Sequence, residues 1–404
     1  MKNLIFLTMA RMMDISRRGI YTDLIRKFQK EGWNVYIVTP NERREGRLTE
    51  LVEKEGIHIL AVQTLNLQKT NVLEKGVGQI LVENHYKRAI KKYLNNIQFD
   101  LILYSTPPIT FPKVIVYLKK HNPKSKTYLL LKDIFPQNAV DLGMMSRKGI
   151  KGILYRFFRN KEKKLYSLSD YIGCMSPANV EYVLKHNPEI AHDRVEVAPN
   201  SFELVSPVYT GNLNRKAARR KFHLPVDKPV FIYGGNLGKP QGIPFLIQCL
   251  EANSTRKDCY FVIIGNGTEL SRLRVWYEEK HPKNVTVMKG LPKNEYDELV
   301  RACDVGMIFL DHRFTIPNYP SRILSYLENK MPVLCATDIN TDIGRIADEN
   351  GYGYWCESNS IAAFSDILEK MINSDRKAMG EKGYRFMCDK YLIDNTYNAI
   401  VKHV

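Results

Sequence analysis

An alternation of short apolar runs with longer helical segments, repeated in both halves of the chain, most limits what it can fold into. In the first half, Leu4–Thr8, Trp33–Thr39, Ile57–Val62, Leu101–Tyr104, Tyr128–Leu131, Tyr171–Met175 and Arg194–Ala198 read as strands. Segments 19–30, 76–95, 110–120 and 147–168 read as helices between them. The second half repeats the pattern from Val230 to about residue 373. Strands of one apolar run, separated by helices, predict a parallel sheet covered on both faces. A chain of 404 residues is too long for one comfortable core, and the polar stretch Ser206–Lys221 divides it. The expected fold class is α/β: two Rossmann-like domains, 1–204 and 205–383, facing a central cleft. In such sheets ligands bind outside the carboxyl ends of the strands.

Charge separates the halves. Residues 1–200 carry 33 Lys and Arg against 19 Asp and Glu, a net +14, whereas 201–404 carry only +3 of the total +17. Such a field suits an anionic surface or polyanion near the first half. No nucleic-acid recognition motif accompanies it, so no nucleic-acid partner is expected. The seven cysteines are scattered singly without C-x-x-C spacing, as reduced core residues of a cytoplasmic protein would be. Met1–Ala10 reads as a first strand without a signal-peptide pattern, and no apolar run reaches the roughly 18 residues of a membrane span.

Five stretches could carry chemistry at the strand ends. Tyr233–Gly242 (Y-G-G-N-L-G-K-P-Q-G) has glycines at 234, 235, 238 and 242, which let backbone N–H groups approach phosphate oxygens, and Lys239 can neutralise one. It fits neither the dinucleotide nor the P-loop spacing, and a plain flexible loop is the other reading. Ile263–Glu269 turns from strand to helix through Gly265-Asn266-Gly267, and Met288–Pro292 exposes the backbone of Lys289-Gly290-Leu291, which could read a nucleobase edge. Pro317–Thr337 combines a loop, a short helix and a strand. Free N–H groups at that helix start, with Ser321 and Arg322, favour an anion, and Ser325 and Glu328 share a face with Ser321. An ordinary αβ unit with a surface arginine is the alternative. In the first half, Asp133 follows a buried strand, where a carboxylate could accept a proton or orient a sugar hydroxyl, or merely cap the next loop.

Taken in order, G-G-N-L-G-K-P-Q-G, I-I-G-N-G, V-x-V-M-K-G-L-P, A-C-D-V-G and P-S-R-x-x-x-Y-L-x-x-x-x-P-V resemble the GT-B fold glycosyltransferases, specifically glycosyltransferase family 4. S-T-P-P (Ser105–Pro108) and D-I-F-P-Q (Asp133–Gln137) are similar to the bacterial surface-polysaccharide branch. The resemblance implies retaining transfer of a sugar from a nucleotide-sugar donor, most often UDP-linked, with no metal and no other cofactor. It implies that Gly235, Asn236, Gly238, Lys239, Ser321 and Arg322 hold the diphosphate. Gly265, Asn266, Gly267, Lys289, Gly290 and Leu291 would line the nucleoside, and Gly19 would approach the donor from the first domain. It also implies a glycan or polyprenyl-diphosphate-linked acceptor, and a last helix, from about 384, returning to the first domain with Met387, Tyr391 and Ile400 on its buried face. Where many relatives carry a glutamate pair this chain has Pro317 and Ser325. It has Asn236 and Gln241 where they carry Arg and Lys, and Lys330 where glycine is common. A sugar-nucleotide epimerase of the same fold, or a non-catalytic nucleotide-sugar-binding protein, are the alternatives.

From Arg147 to Lys164 eight cations, among them Lys151, Arg156, Arg159, Lys163 and Lys164, face a single Glu162, interleaved with Phe157 and other apolar residues at helical spacing. A basic amphipathic helix of this kind suits an anionic membrane surface, which would place the protein on the inner face of the cytoplasmic membrane. A surface helix with a core-facing stripe is the alternative.

Overall fold

The computed structural model describes residues 1–67, 72–204 and 215–404, with only the backbone described at 72–77, 79, 80, 150 and 151. These residues form two compact units: Met1–Glu203 together with Leu392–Val404, and Leu204–Tyr391.

The first unit holds β1 (Asn3–Leu7), β2 (Asn34–Glu42), β3 (Glu50–Lys54), β4 (Ile57–Thr64), β5 (Leu101–Ser105), β6 (Lys126–Leu131), β7 (Tyr171–Cys174) and β8 (Val195–Val197). Their order is β3-β4-β2-β1-β5-β6-β7-β8. All pairs are parallel except β3–β4, an edge hairpin absent from the sequence reading. Lys54 faces Ile57 across a two-residue turn in which Glu55 and Gly56 both have positive φ, the turn that matches strand twist. β3 was illegible because its side chains are mostly exposed and charged, so it lacks the apolar run that marks the other strands.

The second unit holds β9 (Val230–Asn236), β10 (Tyr260–Asn266), β11 (Val285–Lys289), β12 (Val305–Phe309), β13 (Val333–Thr337) and β14 (Gly353–Glu357), in the order β11-β10-β9-β12-β13-β14, all parallel. Its core joins Phe231, Phe261, Met307 and Leu334 from the sheet to Leu246, Leu273 and Phe364 from the helices. Strands buried on both faces account for runs such as Phe231–Tyr233 and Phe261–Ile264 without polar alternation.

In each sheet the sequential order of the strands reverses beside a central strand. The reversal falls between β1 and β5 in the first unit and between β9 and β12 in the second. Such a switch point leaves a crevice at the carboxyl ends of the two strands.

Two expectations about segment limits need correction. The first-unit return begins at Leu392, not near 384. Helix Ile393–Val401 buries Ile393 and Ile400 in the first core, where Tyr397 meets Phe28 with ring centroids 4.9 Å apart. Helix Arg376–Lys390 stays in the second unit, because Gly380 and Gly383 let it close on Lys330, Leu327 and Tyr352. Met387 is buried there, and the Tyr391 hydroxyl bonds that of Tyr319. The dividing stretch Ser206–Lys221 lies outside the described residues up to 214, but Arg215–Lys221 is a helix of the second unit. Its buried Arg219 donates to Ala302 O at 2.8 Å and pairs with Asp304.

Candidate functional site

At the second-unit switch point β9 ends in Gly234-Gly235-Asn236, and β10 in Gly265-Asn266. The two ends pair in register, Gly235 with Gly265 and Asn236 with Asn266. Glycine is needed here for close approach: a Cβ on Gly265 would overlap the carbonyl oxygen of Gly235, and one on Gly267 that of Leu237. The backbones are locked by Leu237 N–H donating to Asn266 O and Glu269 N–H to Leu237 O, both at 2.9 Å. Gly234 has no room for a side chain because the Tyr296 ring lies against it.

These ends and the turn after β11 enclose a cavity of about 290 Å³, lined by Gly235, Asn236, Gly265, Asn266, Gly290, Leu291, Ile264 and Tyr296. Six of these are residues that the sequence placed at a nucleotide. Lys289, paired with Gly265 at the end of β11, is exposed and is not among the lining residues. Tyr296 carried no sequence signal, since it sits in a charged helix, Lys293–Ala302, and reads as a surface tyrosine. Burial holds its hydroxyl up at about 12, with Arg322 opposing, so it remains a neutral hydrogen-bonding group.

The loop after β9 is held by Gln241, whose Oε1 accepts from Asn236 Nδ2 at 3.0 Å and from Gly238 N–H at 3.2 Å. Gly242, at φ +57, packs on the backbone of Asp311, and Asp311 N–H donates to Pro240 O at 3.0 Å. A bidentate Arg313 in turn grips Asp311, at 2.7 and 2.8 Å. Lys239 begins the short turn Lys239–Gln241 and is exposed.

Helix Arg322–Glu328 starts beside this loop. The Arg322 guanidinium lies over the Tyr233 ring, 4.4 Å from its centroid, and its carbon stands 3.5 Å from where a Cβ on Gly235 would be. Its Nη1 is buried with no hydrogen-bond partner among the described residues. Buried guanidinium N–H groups are nearly always satisfied, so one left over beside a glycine loop is able to donate to an anion there. Below it, Gly234 N–H donates to the Tyr326 hydroxyl at 3.2 Å, tying helix to strand. Ser321 is exposed and makes no side-chain cap, and Ser325 is half-buried on the helix. Glu328 lies at the other end, close enough to Tyr384 to raise its pKa, and does not line the cavity.

In the first unit the switch point gathers a polar group. Thr106 Oγ1, just past β5, accepts from the N–H groups of Lys132 (2.9 Å) and Asp133 (3.2 Å) past β6. Both oxygens of the Asp133 carboxylate accept from Asn138 Nδ2, at 2.8 and 2.9 Å. Burial pushes the Asp133 carboxyl up to about 6, against the Ile134 N–H and Asn138 bonds. Tyr21, pushed up to about 12 by burial, bonds Ser105 and feels the Asp133 charge. Gly19 caps helix Ile20–Lys30, its N–H donating to buried Asp23 at 2.9 Å. Tyr21 and Ser105 were not singled out as site residues.

The basic helix spans Gly149–Leu168. Ile153, Leu154 and Phe157 are 60%, 48% and 40% exposed, beside exposed Arg156, Lys163 and Lys164. The Lys151 side chain lies outside the described residues. Arg159 faces inward instead, pairing with buried Glu162 and with Asn187 Oδ1, each at 2.7 Å, which removes it from the expected outer face. Among the described residues no helix is long and apolar enough to cross a membrane, and no group of three His, Cys, Asp or Glu is placed to hold a metal.

Residues 214–386 match the family model of glycosyl transferases group 1. "Probable glycosyltransferase WbjE" of Pseudomonas aeruginosa is 24% identical over 379 residues, covering 90% of this chain and 87% of that one. WcaI of Escherichia coli (strain K12), named for colanic acid biosynthesis, is 23% identical over 227 residues, 55% of this chain and 54% of its own. Among solved structures, sucrose-phosphate synthase from Thermosynechococcus elongatus superposes with a TM-score of 0.76 at 14% identity, covering 100% of this chain and 98% of that one. WaaG, a glycosyltransferase involved in lipopolysaccharide biosynthesis, superposes with 0.64 at 13%, covering 98% of both. The chain is a glycosyltransferase of the GT-B fold, with the group 1 domain in its second unit.

Proposed function

We propose that this glycosyltransferase moves a sugar from a UDP-linked donor to a lipid-linked or polysaccharide acceptor in surface glycan assembly, with retention and without a metal, in the manner of glycosyltransferase family 4. The observation that carries the donor reading is Arg322 Nη1, without a hydrogen-bond partner among the described residues, beside Gly235 and a cavity of about 290 Å³. The surface-glycan reading is supported by what WcaI (colanic acid biosynthesis) and WaaG (lipopolysaccharide biosynthesis) are named for.

The chemistry follows from charge. When the sugar–phosphate bond breaks, the departing diphosphate gains negative charge, and fixed donors aimed at it lower the barrier. Arg322, Lys239 and the N–H groups of the glycine loop are those donors. Asn236 and Gln241 replace two further cations by a neutral amide pair, so Arg322 and Lys239 share more of the task. Asp133, half protonated near pH 6, is suited to orient an acceptor hydroxyl and take its proton. Titration with UDP-, GDP- and dTDP-linked sugars tests the donor: tightest binding of the UDP form is expected, and preference for another base overturns that part.

The acceptor reading brings a location. The apolar residues Ile153, Leu154 and Phe157 flanked by Arg156, Lys163 and Lys164 form a face suited to an anionic bilayer on the cytoplasmic side. The protein is expected to float with phosphatidylglycerol vesicles at low ionic strength and to detach at about 0.5 M salt, where charge attraction is screened within a few ångströms. No flotation at low salt ends the membrane proposal.

A further inference from the structure

A cavity in the first unit lies at the carboxyl end of β4, and no member of the Asp133 group is among its described lining residues. Its volume is about 630 Å³. Val62 to Leu65 form one wall, helix Val72–Tyr93 another through His85, Arg88 and Lys92, and the turn after β2 adds Arg43. Three full cations thus border one cavity, and no carboxylate is among its described lining residues. Arg43, Arg88 and Lys92 enter no ion pair with the described residues. This contrasts with nearby cations: Arg44 is paired with Glu42 and Arg11 with Glu45. His85 Nδ1 is buried with no hydrogen-bond partner among the described residues, and burial with the Arg88 charge lowers the imidazole's pKa, which favours the neutral ring. Leu48, Val62, Leu65 and Ala89 supply an apolar floor of the kind a sugar ring can rest on.

We propose that this cavity binds a sugar bearing a phosphate or carboxylate group, held by Arg43, Arg88 and Lys92 with the ring on the apolar floor. Cations of one sign around a cavity focus the field on an anion, and a guanidinium fork can bond two oxygens of either a carboxylate or a phosphate at once. A neutral imidazole nitrogen left over can bond a hydroxyl or the anion itself. That such a ligand is part of the glycan acceptor rests on the glycosyltransferase reading; anion binding itself does not, and is measured without donor or turnover.

The test is a titration of the full chain with inorganic pyrophosphate and, separately, with digalacturonic acid. The readouts are the affinity and the imidazole resonance of His85, assigned among the nine histidines by a His85→Gln variant. Movement of the His85 signal by pyrophosphate alone identifies a phosphate-bearing sugar as the ligand. Movement by digalacturonic acid alone identifies a carboxylate-bearing one. Arg88→Ala and Lys92→Ala, both exposed positions that fold normally, are each expected to weaken the binding that moves His85 about tenfold. Lys91→Ala, on the same helix but not lining the cavity, is expected to change it little. A His85 signal unmoved by either probe at millimolar concentration overturns the proposal. So does an equal loss in Lys91→Ala, which would mean a diffuse basic field. Loss of nucleotide-sugar binding with the His85 response intact would refute the donor reading alone.

Discussion

Replacing Arg322 by alanine is expected to lower sugar transfer about 100-fold while the protein stays folded. The guanidinium is held at the glycine loop, seated on the Tyr233 ring with Nη1 unpaired among the described residues. Removing one donor aimed at a charge that develops in the transition state costs on the order of 3 kcal/mol. Losing the ring contact costs stability only about 1 kcal/mol. Arg322→Lys keeps the charge but not the planar fork, and should fall between the two. Lys239→Ala should lose about tenfold, because its exposed ammonium acts through a higher dielectric. Turnover measured beside a melting curve separates catalysis from folding. Full activity in both alanine variants would remove the diphosphate from this loop.

The second large effect is steric. Gly265→Ala is expected to lower the melting temperature by roughly 10 °C and to abolish nucleotide-sugar binding. The added methyl would overlap the Gly235 carbonyl oxygen, a backbone atom fixed by the β9–β10 pairing, so the strand ends must part. Overpacking against a rigid neighbour costs about 3 kcal/mol, and each kcal/mol shifts a unit of this size by roughly 2–4 °C. Gly290→Ala is the control. Its methyl would meet the Asn266 side-chain amide, which can turn away, so stability should change little. An unchanged melting curve for Gly265→Ala would mean that the two strand ends do not pack as described.

The same glycines explain why the second unit was so readable. A backbone that must approach another backbone leaves its mark as Gly265 and Gly267, a positive φ as Gly235, and doubly buried strands leave theirs as unbroken apolar runs. What was not readable depends on tertiary neighbours. Tyr296 looks like any surface tyrosine until its ring is found against Gly234. Arg159 fits a basic outer stripe by spacing, yet Glu162 and Asn187 draw it inward. β3 has no apolar run, and residues 384–391 carry a helical pattern that cannot say which core it serves. Gly380 and Gly383 decide that, through contacts remote in sequence. Lys330 stands at φ +53, in the left-handed region, which fits the glycine that the family resemblance implies there; its ammonium reaches Glu381 at 2.8 Å.

The missing glutamates bear on affinity rather than on fold. Ser325 can offer a hydroxyl where a carboxylate would hold a ribose, and Glu328 sits toward Tyr384. On the proposed donor reading, the nucleotide-sugar would be held chiefly through its diphosphate and base. The most direct measurement is therefore calorimetric titration of the wild-type protein and of Arg322→Ala with UDP-, GDP- and dTDP-linked sugars. The account predicts one-to-one binding of the UDP-linked sugar to the wild type and at least tenfold weaker binding to the variant. Absence of binding to all three, or equal affinity in the two proteins, would contradict it.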